Sequence, residues 1–358
     1  MRHATIAATM ILSLGMFGSA GAGEHTWYPA DIDIWDTDVD PNSPVETGTY
    51  TPLEQASQPW DICVSIPHMA DPYWMAVNYG IADEARRLGV NMQLFEAGGY
   101  VNLDTQISQL EGCVSRGADA IVLGAISYDG LNRVIDEIVA NDIPVVDFIN
   151  GVSSDKVAAR SLVSFYELGH MAGSYLAEQY PEGSDPVKVG WFPGPTGAGW
   201  SEDGNRGFKD AVEGSAVEIV ATEYGDANQR VQMELVENVL QAHRDVDYII
   251  GATTTAEAGA NLLRRQGRLD EVRVMPYYYS VGVHRGIVRG HILAAPTDQA
   301  VIQSRIAMDQ AVRVLEGEDV MTHVGPSLFV VGQDNIDDFD ARTSLAPDDW
   351  SPVFRVRQ

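Results

Sequence analysis

Apolar strands and amphipathic helices alternate with little interruption from Asp61 to Val331, and this pattern most constrains the fold. Ile62–Ile66 is a short apolar run of strand type. Trp74, Val77, Ile81, Ala85 and Leu88 then recur at helical spacing, and Gly89 stands where a helix stops. The same alternation gives strands at Met92–Phe95, Ala120–Leu123 and Ile143–Asp147, with helices marked by Leu103–Val114 and Leu131–Val139 between them. After a break it resumes, with helices at Leu168–Tyr180, Asp203–Val212, Val231–Ala242, Ala256–Arg265, Val283–Arg289 and Gln303–Leu315. The strands between them are Val187–Phe192, Val217–Ala221, Tyr248–Gly251, Val272–Met275 and Leu328–Val331. Such alternation implies parallel sheets covered by helices on both faces. A chain of 358 residues exceeds what one core usually holds, so the expectation is an α/β protein of two lobes, each with its own parallel sheet.

The N-terminus reads as an export signal. Arg2 is followed by the apolar run Ile6–Phe17 and the small-residue site Ala20-Gly21-Ala22, so cleavage is expected after Ala22. The run is too short to span a bilayer, and it contains no Cys for lipid attachment. Residues 23–57 are rich in Asp, Pro, Thr and Ser and read as an extended arm. The lobes are expected at 58–165 plus 296–325 and at 166–295 plus 326–358, with three crossings near 165, 296 and 325.

Charge narrows the partners. The chain carries −28, or −29 once the single Arg of the leader is gone, and its lysines are Lys156, Lys188 and Lys209. A surface of that sign disfavours nucleic acid and anionic lipid and reads first as well-solvated polarity. The two cysteines sit in an exported chain, where a disulfide is permitted. Cys63 opens the first strand and Cys113 ends the second helix, and in an open sheet those ends share a face. A bridge there would add roughly 4 kcal/mol, and two buried thiols are the alternative.

Ligands of open α/β sheets bind beyond the carboxyl ends of the strands. Here those loops carry Asp71-Pro72-Tyr73-Trp74, Tyr100, Phe165-Tyr166, Trp200 and Tyr277-Tyr278-Tyr279, with few cations. Aromatic faces grouped this way suit a quaternary ammonium, at roughly 0.5–2 kcal/mol per ring. The turn Gly194–Gly199 lacks the Lys-Ser/Thr ending of a phosphate loop and reads as the lead-in to a helix. No His-Glu-x-x-His helix and no Gly-x-Ser-x-Gly elbow occurs, so no catalytic residue, metal ligand or cofactor is assigned and an enzyme is not expected.

Over residues 58–335 the chain resembles the ribose-type, class I periplasmic binding proteins. The resemblance rests on Asp71-Pro72-Tyr73-Trp74 after the first strand, on Ile143-Pro144-Val145-Val146, on Pro193-Gly194-Pro195 and on Thr297-Asp298-Gln299. Asn78-Tyr79-Gly80, Glu96–Tyr100, Ala198-Gly199, Arg285-Gly286, Ser344-Leu345 and the positions of Cys63 and Cys113 are most similar to a sensor branch of that class. That branch answers trimethylamine N-oxide (TMAO) through a membrane histidine kinase and regulates TMAO respiration. The resemblance implies a periplasmic sensor with a cleft site of Asp71, Tyr73, Trp74, Tyr100, Phe165 and Tyr278, and it implies the kinase's periplasmic domain as partner. It also implies Trp at the Phe165 position, so this chain keeps a ring there but loses an N–H. Sugar binders of the class usually place a carboxylate where Tyr278 stands. The alternative within the same fold is a transporter's substrate-binding protein for a sugar or a methylated amine.

Overall fold

A computed structural model describes residues 26–37 and 43–358; the leader at 1–22 lies outside them. Strands β1 (Ala30–Trp35) and β2 (Val45–Tyr50) precede the alternation. It then runs β3 (Asp61–Ile66), α1 (Tyr73–Leu88), β4 (Asn91–Glu96), α2 (Leu103–Ser115), β5 (Ala120–Leu123), α3 (Asn132–Val139), β6 (Val145–Phe148) and β7 (Ala159–Ser161). The second series is α4 (Phe165–Ala177), β8 (Val187–Phe192), α5 (Gly199–Val212), β9 (Val217–Thr222), α6 (Gln229–Ala242), β10 (Tyr248–Gly251), α7 (Thr253–Gln266), β11 (Arg273–Pro276) and α8 (Val281–Val288). Then follow β12 (Ala294–Thr297), α9 (Ala300–Glu316), β13 (His323–Pro326), β14 (Phe329–Gly332) and β15 (Arg355–Val356).

Two sheets define two lobes. The first has the order β15-β4-β3-β5-β6-β7-β13-β1-β2 and the second β11-β10-β8-β9. The second is parallel throughout, as is the first from β4 to β13. A small antiparallel pair, β12 with β14, joins them. The chain passes between lobes after β7, between β12 and α9, and between β13 and β14. Each helix stops where its sequence stops it: Gly89 sits at φ 77° and returns its N–H to the carbonyls of Ala85 and Arg86.

Two segments differ from their sequence reading. The stretch read as an extended arm forms the β1–β2 hairpin, which continues the first sheet through β13. Its Ile32 and Tyr50 are fully buried against Ile302, Ile306 and Val324 of α9 and β13. The tail, read as part of the second lobe, returns to the first. Val356 and Arg355 pair with Met92 and Gln93 of β4. Asn78 on α1 holds the approach by accepting from the Trp350 indole N–H and the Val353 N–H and donating to the Val353 carbonyl. An uncovered β4 would expose a row of unpaired backbone groups, and the tail removes that edge.

Cys63 and Cys113 are joined in a disulfide with Cα atoms 6.0 Å apart, linking the start of β3 to the end of α2. In the second lobe α4 and α5 touch backbone to backbone. A methyl added at Gly169 would meet the Gly204 carbonyl oxygen at 2.2 Å, so only glycine permits this approach. The contact fixes the start of α5 relative to that of α4. Ser164 caps α4, its hydroxyl accepting the Glu167 N–H at 3.1 Å. Ser164→Ala is expected to cost about 1 kcal/mol, read as a lower urea midpoint at unchanged slope.

Candidate functional site

The carboxyl ends of strands from both sheets converge on one buried cluster of rings. Tyr73 and Asp71 come from the β3–α1 junction, Tyr100 from the loop after β4, and Phe165 from the first residue of α4. Trp200 comes from the first turn of α5, and Tyr277 and Tyr278 from the loop after β11. Tyr278 is the hub. Its ring centroid lies 5.4 Å from Tyr73, 5.7 Å from Trp200, 6.3 Å from Phe165 and 5.1 Å from Tyr277, each pair close to edge-on. Trp200 also reaches Phe165 at 5.8 Å and Tyr100 at 5.9 Å. These edge-to-face contacts place ring faces around a common centre.

The sequence named Asp71, Tyr73, Trp74, Tyr100, Phe165 and Tyr278. Five of them meet here. Trp74 stands one step back, edge-on to Tyr73 and Phe148 and lying over Gly124. Three members lie outside those six: Trp200, Tyr277 and Thr253. Trp200 and Tyr277 stand among the aromatics after strand ends, and that place was their signal. Thr253, at the start of α7, gave no signal. Trp200 brings an indole beside Phe165, the position where the resemblance implies Trp.

Asp71 is the carboxylate of the cluster. It is 2 % exposed, and its Oδ1 accepts the Tyr73 N–H at 2.9 Å, which serves the open end of α1. The same group faces the other lobe. The Thr253 hydroxyl lies 3.3 Å from Oδ1, and the Tyr278 hydroxyl donates to Oδ2 at 3.3 Å. A second acid lies behind: Asp298 accepts from the Tyr73 hydroxyl and from Gln303 Nε2 at 2.8 Å, while its Oδ1 is buried without a partner. Neither acid bonds to a Lys or Arg among the described contacts.

Burial therefore pushes the Asp71 carboxyl up to about 7 and Asp298 up to about 6. Burial also holds the Tyr73, Tyr277 and Tyr278 hydroxyls well above their usual range, so they remain neutral donors. Because Asp71 titrates near 7 folded and near 4 unfolded, the folded state holds the extra proton between those values. Its contribution to stability thus falls as pH rises from about 4 to 7. Asp71→Asn cannot ionise but keeps an acceptor for Tyr73. Its melting temperature relative to the parent is expected to rise across that window, which a melting series at several pH values would read.

A cavity of about 20 Å³ adjoins the cluster between Phe165, Trp200 and Asn150, room for about one water. The rings fill most of the space among themselves. The arrangement offers aromatic faces, neutral hydroxyl donors and a carboxyl that can ionise, which together suit a small methylated amine or amine oxide.

Comparison with known proteins identifies relatives of the same fold. Residues 62–319 match the family described as periplasmic binding protein domain. The chain is 35% identical to the periplasmic protein TorT of Escherichia coli strain K12 over 308 residues, 85% of this chain and 86% of that protein. A crystal structure of the TorS sensor domain–TorT complex in the presence of TMAO superposes with a TM-score of 0.76 at 32% identity, covering 82% of this chain and 99% of that one. An ABC transporter solute binding protein from Bradyrhizobium sp. BTAi1 with bound bis-tris gives 0.80 at 51% identity, covering 92% and 99%.

Proposed function

The chain belongs to the periplasmic binding protein family, and from that premise we propose that it binds TMAO or a related methylamine in the cleft between its lobes. Binding closes the lobes, and the closed form is read by the periplasmic domain of a membrane sensor histidine kinase that governs TMAO respiration. The observation that carries this reading is the ring cluster centred on Tyr278 and Asp71. A trimethylated nitrogen carries its positive charge on three methyls, which are attracted to ring faces. The oxide needs a donor, and the neutral Tyr100 hydroxyl, which accepts from Asn150 and keeps its own proton, supplies it. A sugar would instead require charged and amide groups for its ring of hydroxyls, and the cluster has few. Closure is the signal, because a ligand favours the conformation in which both lobes touch it.

Export by a leader cleaved after Ala22 is part of the proposal. Among the described residues no helix is long and apolar enough to cross a membrane. The chemistry is binding alone; no group in the cluster is asked to form or break a covalent bond.

Titration calorimetry with TMAO, glycine betaine, choline and ribose tests the ligand, and gel filtration with the kinase's periplasmic domain tests the partner. Selective heat with TMAO, with co-elution, is expected. Heat with ribose alone would remove the reading. A second reading, a transporter's substrate-binding protein for a sugar or a methylated amine, is favoured by the 51% identity to a protein described as an ABC transporter solute binding protein. It predicts heat with an amine or a sugar and no co-elution.

A further inference from the structure

A second set of contacts crosses the cleft outside the rings, and it converges on Asp226 in the β9–α6 connection. Asp226 belongs to the second lobe, and its carboxylate meets two loops of the first. Its Oδ2 accepts the Tyr100 N–H at 3.2 Å. Its Oδ1 faces His68 Nε2 at 3.7 Å. The His68 ring is 2 % exposed, and its Nδ1 accepts the N–H groups of Ala70 at 3.1 Å and Asp71 at 3.3 Å. An Nδ1 that accepts leaves the proton of a neutral ring on Nε2, where it points at Asp226. His68 Nε2 and Asp226 Oδ1 are both buried without a hydrogen-bond partner at this separation. Each therefore has only the other to satisfy it, and a few tenths of an ångström of further closure would make the bond.

The first-lobe loops are shaped to receive this carboxylate. A methyl at Gly99 would come within 3.2 Å of Asp226 Oδ2, and Gly99 is held at φ 136°. The contact also touches the rings indirectly. Tyr100 gives its N–H to Asp226 while its hydroxyl accepts from Asn150 and its ring packs on Trp200. The loop braced by His68 carries Asp71.

We propose that Asp226 is a closure latch, a positioning residue that sets how long a ligand stays bound without touching it. The proposal rests on the reading of the cleft as the ligand site. Opening must break the Tyr100–Asp226 hydrogen bond and part His68 from the carboxylate it faces; entry into the open cleft involves neither. The latch therefore acts on dissociation.

The test is stopped-flow binding of TMAO to Asp226→Ala. Its dissociation rate is expected to rise about 10- to 30-fold, with association within about twofold and the order of preference among TMAO, choline and betaine unchanged. His68→Asn carries an oxygen in place of Nδ1, so it keeps the loop braced but lacks the donor at Nε2. It should raise dissociation more modestly and lose its effect when Asp226 is already alanine. An unchanged dissociation rate, or a changed ligand preference, would overturn the latch. If no amine gives heat, the ligand reading has failed, and the latch is tested separately by the distance between spin labels on the two lobes of the unliganded protein. A shift of Asp226→Ala toward the longer distance supports it, and an unchanged distribution sinks it.

Discussion

Tyr278→Ala is expected to weaken TMAO binding by roughly 10- to 150-fold. Tyr278 is the ring that every other member of the cluster except Tyr100 touches edge-on. Its loss removes one cation-facing ring, at about 0.5–2 kcal/mol, and one hydroxyl bond, at about 1 kcal/mol. Tyr278→Phe separates the two. It keeps the ring and loses only the bond to Asp71, so roughly 3- to 10-fold is expected by calorimetry. A Tyr278→Ala variant that binds within threefold of the parent would leave the function standing and move the site elsewhere.

Arg160→Met is expected to cost about 3–5 kcal/mol, the usual penalty for leaving one half of a buried ion pair. Arg160 is 1 % exposed, and its guanidinium reaches Asp147 Oδ2 at 2.6 Å and the carbonyls of Val152 at 2.8 Å and Ser154 at 2.5 Å. At roughly 2–4 °C per kcal/mol for a lobe of this size, the melting point should fall on the order of 10 °C. Burial already pushes Asp147 up to about 6 despite its partner. Without Arg160 the carboxyl rises further, so the penalty deepens as pH rises above about 6 and shrinks below it. The double variant Arg160→Met with Asp147→Leu should recover most of the loss, because no buried charge remains. The same arginine braces the loop that carries Asn150, whose side chain donates to the Tyr100 hydroxyl, so weaker TMAO binding should accompany the instability.

The lobes were legible because their strands are aliphatic runs and their helices carry periodic apolar faces, both local patterns. Strands β1, β2, β7, β12, β13 and β15 were not. Their sequences are short and mixed, and pairing with other strands, mostly distant along the chain, makes them strands. The tail followed the same logic: nothing near Arg355 announces that β4 needs an edge partner, since the two are more than 250 residues apart. Within the site, aromatics after strand ends were readable from position alone. Trp200 was among them, but the family resemblance gave its position no role in the site. Asp298 was visible as part of a helix start, but its bond to Tyr73 spans 225 residues. Asp226 lay beyond reach for the same reason, because its role depends on two loops that only the closed fold brings to it.

The returning tail has a use for anyone who wishes to watch this molecule move. Gln358 donates its backbone N–H to Asn91 and its side chain reaches the carbonyls of Ala85 and Val90, so a fluorescent domain fused after it would ride on the first lobe. A second fluorophore inserted in the exposed turn at residues 181–185 would ride on the other. Their energy transfer would then report closure as an optical signal, with no kinase present.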